Sequence, residues 1–329
     1  MSQRVPEVDS VVRDRPIRAL VRRAATATIL GLPLKGPLLH YAAKLPPALR
    51  LKLSVRVLDA INRLTPDRPP LSRTNLGINS RLDCLIPNQY SDLLFGAPRL
   101  WIGERSTLAL SDALLHHCVC YLDVGSNLGI YPLYLCSRGH REKPIFCFEP
   151  DLELVDLLRT NINKNGLANV VVQDVAVSKS SGTMRFFANL SDKSSGTLVP
   201  ENWTDHILAK PIEVRSVALS DFVADHHLNE VCAKIDVEGA EEQVWEGLVP
   251  SLKSFRFLII EILGPSIKRG LPLRIMKESG FHAYYIHDYQ LEHSRDGSFE
   301  YVPPFYNWLF CRETPEQLKG LLKAPFKVV

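Results

Sequence analysis

No stretch of the 329-residue chain holds about 18 uninterrupted apolar residues. That is roughly the length a helix needs to cross a bilayer's hydrocarbon core, so no transmembrane helix is expected. The nearest candidate, residues 24–34, runs into Pro33, Lys35 and Pro37. A secretory signal fits poorly as well, because Glu7, Asp9 and Asp14 precede that stretch and no clear cleavage site follows it. Metal-type cysteine spacing is also lacking: the seven cysteines are scattered, and Cys118 and Cys120 share a face of one predicted strand. They read as reduced, buried thiols of a cytoplasmic protein. No internal repeat and no low-complexity tract is present.

What is present is the balance of a soluble globular protein, 46% hydrophobic and 23% charged. The length suits one large α/β domain with an appendage. The net charge of +3 conceals an asymmetry, since residues 1–75 carry 14 Lys and Arg against 5 Asp and Glu. That quarter is therefore +9 and the remainder −6. The basic quarter is suited to weak contact with an anionic membrane surface, and equally to a solvated arm. Helical stretches are expected over 17–30 and 48–64, and "TPDRPPLSR" (65–73) reads as a linker because its prolines oppose regular structure. The expected division is an extension over 1–75 and a main domain over 76–329.

From residue 119 a strand–turn–helix pattern repeats. "VCYLDV" (119–124) is a short apolar run suited to a doubly buried strand, with a turn over 125–129 and a helix over 130–137. "PIFCFE" (144–149), "NVVVQD" (169–174), the strand opening "VCAKIDVEGAEEQVWEGL" (231–248) and "FRFLIIEI" (255–262) repeat it. Helices are expected over 151–163 and 273–281. Residues 178–212 read as a polar insertion with one strand over 183–187, and 287–304 as a loop. "HAYYI" (282–286) and "FYNWLFC" (305–311) suit a closing antiparallel hairpin. The fold expected is α/β: a doubly wound, mostly parallel sheet with that hairpin and a helical N-terminal extension.

Ligands of such sheets sit beyond the carboxyl ends of the strands. Asp123, Glu149, Asp174, Asp236 and Glu261 all fall there. The turn D-V-G-S-N-L-G departs from the dinucleotide fingerprint, with Asn127 at the second glycine's place and Asp123 ahead of the first glycine. A carboxylate there repels a pyrophosphate and suits a ligand with positive charge. S-adenosylmethionine meets that description. Glu149, 26 residues on, is placed for its ribose hydroxyls, and Asp174 for its adenine amine.

"YLDVGSNLGIY", "FCFEPDLELVDLLRTNINKNGL", "VAVSKSSGTMRFF" and "CAKIDVEGAEEQVWEGL" resemble the successive motifs of FkbM-type methyltransferases. The resemblance covers about residues 90–311. It implies a class I O-methyltransferase fold and a sugar, glycan or natural-product hydroxyl as acceptor. It also implies that Asp123, Gly125, Asn127 and Gly129 line the methionine end of the cofactor, and that Asp236 and Glu238 face the transferring methyl. Ser126, where the family more often has alanine, is counted with the cofactor residues of that turn. Either carboxylate is then the candidate base, with His227 and His282 as rivals. No metal is expected, although Asp236, Glu238 and Glu261 offer oxygen ligands, because no adjacent Asp-Asn pair is present. Trp203, Tyr285, Tyr289 and Tyr306 are candidates to stack on a sugar. Nucleic acid is disfavoured as a substrate: the main domain is acidic and no N/D-P-P-Y-type motif follows the fourth strand. The rival functions are N-methylation of an amine or protein side chain and a non-catalytic cofactor-binding scaffold.

Overall fold

The computed structural model describes residues 71–75, 81–85, 102–189, 196–202, 209–287, 289–298 and 306–329. The chain divides into two units, residues 1–100 and 101–329. Within the first, β1 (Leu71–Asn75) and β2 (Arg81–Leu85) form an antiparallel hairpin with Leu71 opposite Leu85. The expected linker therefore stops short of residue 73. Its last proline is Pro70, and a strand can begin as soon as every residue again has an N–H to donate. The helices expected over 17–30 and 48–64, and Trp203, lie outside the described residues.

The second unit is built on a nine-stranded sheet. Its parallel half comprises β3 (Cys120–Val124), β4 (Ile145–Phe148), β5 (Val170–Gln173), β9 (Val231–Ile235) and β10 (Phe255–Glu261). The rest comprises β11 (His282–His287), β12 (Gln290–Ser294), β13 (Asn307–Cys311) and β14 (Lys327–Val328). The order across the sheet is β14-β12-β11-β13-β10-β9-β3-β4-β5. Strand order therefore reverses between β3 and β9, which is where such sheets open a crevice. The closing hairpin is as expected, with Ala283 paired to Phe310. Not expected was β12 inside the predicted 287–304 loop. Its sequence QLEHS buries Leu291 and Ser294 alone, too faint an alternation to stand out.

Helices α1 (Ile102–Leu115), α2 (Ile130–Ser137) and α3 (Leu152–Lys164) belong to the β3–β5 side of the chain. Helices α4 (Leu219–Asp225), α5 (Glu241–Leu248), α6 (Gly264–Lys268) and α7 (Leu271–Ser279) follow, and α8 (Pro315–Leu321) precedes β14. One apolar core joins Leu122, Val124, Phe148, Ala233, Ile235, Leu258, Ile260 and Trp308 to α4, α5 and α7. Because strand side chains alternate, Tyr121, Asp123, Lys234, Glu261 and Asn307 must leave the sheet on its opposite face. The bond from the Tyr121 hydroxyl to Ser111 Oγ, 2.9 Å, places α1 there.

The expected polar insertion is larger than a single strand. β6 (Ala176–Val177), β7 (Gly182–Asn189) and β8 (Ala209–Val217) make a separate three-stranded sheet, with β7 and β8 antiparallel over their full length. It is fixed to α5 at close range. Ser178 Oγ bonds Gln243 Oε1 at 3.0 Å, and a Cβ on Gly247 would stand 2.1 Å from the Ser178 carbonyl oxygen. Gly247→Ala must therefore push backbone from backbone. We expect it to cost about 1–3 kcal/mol or more in chemical denaturation, whereas Gly166→Ala, whose Cβ would meet no atom within 4 Å, tests the left-handed backbone alone.

Candidate functional site

The turn after β3 is held by its neighbours as well as by its own sequence. The amides of Gly125 and Ser126 both donate to the Phe148 carbonyl at 3.0 Å, and Ser126 Oγ donates to the Asp123 carbonyl at 2.6 Å. Asn161 Nδ2, from buried Asn161 on α3, donates to the Leu128 carbonyl at 2.9 Å. Three residues of the turn have left-handed backbones: Gly125 (φ 82°), Asn127 (φ 50°) and Gly129 (φ 85°). Gly129 answers a packing demand, since a Cβ there would lie 2.5 Å from Leu158 Cδ1. Gly125 faces a harder one. Its Cβ would stand 1.8 Å from the carbonyl oxygen of Asp236.

That contact joins the two signature turns. The Asp236 amide donates to the Val124 carbonyl at 3.0 Å, carrying the β3–β9 pairing one step past the strands. In the second turn Glu238 has φ 50° and Gly239 φ 102°. A non-glycine residue is seldom left-handed, and such strain gathers at functional turns. The Gly239 amide donates to Glu241 Oε1 at 2.7 Å, while Ser266 Oγ on α6 donates to Glu241 Oε2 at 3.0 Å. Glu241 thus buckles the turn to α6; burial pushes its carboxyl up to about 7.

Asp123 is fully buried and pairs in register with Cys147 on one side and Lys234 on the other. Lys234, 3% exposed, lies with Nζ 2.6 Å from Asp236 Oδ2 and 4.5 Å from the centre of the Tyr131 ring. Burial pulls the Asp236 carboxyl up, but the Lys234 ammonium and a hydrogen bond with Glu261 outweigh it and hold it below the usual carboxylate range. Glu149 behaves oppositely. Burial raises it to about 7, against amides donated to its two oxygens by Asn127 (2.9 Å) and Asp151 (3.0 Å). Each oxygen keeps a further lone pair for a ligand hydroxyl.

Asp123, Glu149, Asp236, Glu238 and Glu261 thus line one rim of the sheet, and one carboxylate oxygen from each of the last three can be chosen so that all lie within 4.8 Å of one another. Asp174 follows directly on β5 and pairs with two arginines: Arg159 lies 3.5 Å from its Oδ1 and Arg215 3.0 Å from its Oδ2. His227 and His282 stand just ahead of β9 and at the start of β11, at the opposite edge of the sheet from these carboxylates. Tyr285 is core, packed edge-on against Trp308 at 5.3 Å, and Tyr289 meets Phe326 at 5.5 Å. Tyr306 is close enough to Glu261 for the carboxylate to add to the burial that raises its hydroxyl pKa. Lys234 and Glu241 escaped sequence reasoning. The signal for both was a charged residue inside an otherwise buried strand–turn–helix segment.

A family model described as the methyltransferase FkbM domain matches residues 123–289. The chain belongs to the FkbM methyltransferase family. The FkbM match opens at Asp123 itself and encloses both turns, Glu149 and Asp174. The domain is accordingly a methyltransferase domain, and its cofactor is S-adenosylmethionine. A curated relative, the hexuronic acid methyltransferase AglP of Haloferax volcanii, is 25% identical over 142 residues, 43% of this chain and 54% of AglP. The chain thus spans about half the length of that relative. Among solved structures, a precorrin-6y C5,15-methyltransferase of Geobacter metallireducens aligns at TM-score 0.37 and 10% identity, over 64% of this chain and 89% of its own. A human methyltransferase 10 domain containing protein aligns at TM-score 0.39 and 12% identity, over 81% and 99%.

Gly125→Ala combines a left-handed backbone with a collision against backbone atoms that cannot swing away. We expect calorimetry with S-adenosylhomocysteine to show loss of binding at least 100-fold, together with a lowered Tm. Unchanged affinity would mean that the two turns do not have to meet for the ligand to bind.

Proposed function

We propose that the protein is an S-adenosylmethionine-dependent O-methyltransferase that methylates a hydroxyl of a sugar, glycan or natural-product acceptor. In this reading an extension over 1–75 precedes a catalytic domain over 76–329, although the β1–β2 hairpin crosses that boundary. The observation that carries the proposal is the rim of carboxylates served, among the described residues, by one buried ammonium, Lys234. Such a rim disfavours phosphate and suits a sulfonium and an α-ammonium. Asp123, Gly125, Ser126, Asn127 and Gly129 form the wall of the methionine end, and Glu149 takes the ribose hydroxyls on its spare lone pairs. Asp174, whose oxygens each meet one arginine and keep a further lone pair, accepts from the adenine amine.

When bound, S-adenosylmethionine supplies a methyl group on a sulfonium leaving group. The chain's own task is to aim a hydroxyl at that methyl and to receive its proton. Asp236 is placed for this, with Glu238 beside it in a backbone shape that fixes its direction. A carboxylate held below the usual range is a poor base for a resting alcohol. It is adequate for one that grows strongly acidic as its oxygen forms the new bond, so proton transfer accompanies or follows attack. Lys234 keeps Asp236 ionised and turned toward the site. Alignment then accounts for most of the acceleration.

Amine methylation is the weaker reading. It would be served by an aromatic-lined channel, and among the described residues Tyr285 and Trp308 are packed against each other in the core. The similarity to a hexuronic acid methyltransferase supports a sugar acceptor.

Glu149 has its carboxyl at about 7 in the free protein and binds ribose hydroxyls best when ionised. S-adenosylhomocysteine affinity should therefore rise with pH through 7 and level off above it, weakening below 7 by up to about tenfold per unit. A flat calorimetric profile from pH 6 to 8 would remove Glu149 from the ribose contact. Asp236→Asn should retain cofactor affinity within about threefold while turnover drops by about 10²–10⁴, the range ascribed to a general base. The acceptor is sought by following S-adenosylhomocysteine release against sugars (a hexuronic acid among them), glycans, natural-product alcohols and amines. A methyl ether product is expected, and an N-methyl product would favour the rival reading.

A further inference from the structure

At the edge of the sheet away from the carboxylate rim, three metal-competent side chains converge. Asp112 and His116 lie one turn apart on α1 and its immediate extension, and His140 sits in the connection from α2 to β4. His140 is 3% exposed, yet its Nε2 lies 2.8 Å from Asp112 Oδ1. His116 Nε2 approaches the same oxygen at 3.9 Å, and the two imidazole centres are 4.5 Å apart. One ligand atom from each residue can be chosen so that all lie within 4.8 Å of one another. The second Asp112 oxygen is held by Arg138 Nε at 3.0 Å, which turns Oδ1 toward the imidazoles.

We propose that Asp112, His116 and His140 form a binding site for a zinc-like divalent cation, separate from the methyl-transfer centre. Two imidazoles and a carboxylate are a nitrogen-rich set that suits zinc, cobalt or nickel rather than magnesium or calcium. Metal–ligand bonds of about 2.0–2.2 Å place tetrahedral ligands about 3.3–3.5 Å apart. The observed 2.8 and 3.9 Å bracket that spacing, so a small closing of His116 and opening of His140 completes three corners. The exposed side of His116 leaves the fourth to water. Arg138 plays the outer-layer part, fixing the ligating carboxylate as such partners commonly do. On binding, His140 as a neutral imidazole gives its Nε2 lone pair to the metal and carries its ring proton on Nδ1.

The rival reading is a purely structural bond from His140 to Asp112. That bond needs nothing of His116, which has 63% of its side chain exposed. The metal reading needs His116 as the third donor. The site also has a consequence for the rest of the fold: Asp112 and His140 lie 28 positions apart, and the residues between them contain β3 with Asp123, the turn that follows it and all of α2. A metal there would clasp both ends of the cofactor-binding unit.

The test uses the full-length protein stripped with a chelator and returned to chelator-free buffer. Zinc chloride should raise Tm by several degrees and titrate at one equivalent, and cobalt should give visible absorption of tetrahedral strength. Magnesium at the same concentration should leave Tm unmoved. His116→Ala, a change at an exposed position, should fold as the parent does and lose both responses. His140→Gln should lose them too, but its burial makes His116→Ala the deciding variant. Asp236→Asn should keep them, which separates this site from the rim. A zinc shift that persists at one equivalent in His116→Ala, or no zinc shift in the parent, overturns the proposal.

Discussion

Two turns from distant parts of the chain touch where there is no room for even one carbon atom. The carbonyl of Asp236 occupies the place a side chain at residue 125 would need, and the Asp236 amide closes on the carbonyl of Val124. Everything else about the site follows from that contact. It brings the turn bearing Asp236 and Glu238 onto the turn that follows Asp123, with Lys234 in register with Asp123 and bonded to Asp236. It also leaves Glu149, one strand further along, to cap the first turn through Asn127. Glycine is required at 125 by the backbone of the second turn.

The same rim tunes like groups in opposite directions. Asp236 is pulled below the ordinary range by an ammonium it can touch, while Glu149 and Glu241 are driven to about 7 because they are buried and served mainly by amides. A rise from 4.5 to about 7 corresponds to roughly 3 kcal/mol against the ionised form. Glu149 therefore stands ready to trade a proton for a ligand's hydroxyls, whereas Glu241 is committed to holding the second turn onto Ser266. The difference lies in the neighbours, since the three residues are chemically near-identical.

Much of this was legible in the sequence. The run ending at Val124, the turn over 125–129 and the helix over 130–137 stand where periodicity and glycine placement put them, because each element is short, doubly buried and sharply punctuated. The clustering of acids at strand ends was visible for the same reason. What was hidden depends on register. Lys234 reads as an interruption of an apolar strand until its pairing with Asp123 is known. The arginines that claim Asp174 come from α3 and β8, a helix and a strand of the separate small sheet. The strand within 287–304 carries only two buried side chains, too few to announce itself.

The placement of the rim on one face of the sheet has a bearing on how the chain finds its fold. Every strand that contributes a charged or amide group there shows an apolar core to the other face one residue earlier or later. A slip by a single position in β3, β9 or β10 would drive Asp123, Lys234 or Glu261 into the hydrocarbon packed against α4, α5 and α7. There no partner would offset the loss of hydration. The groups assembled for chemistry consequently also enforce the alignment of the strands that present them, so a neutral substitution at the rim would loosen the rules of assembly as well as the reaction.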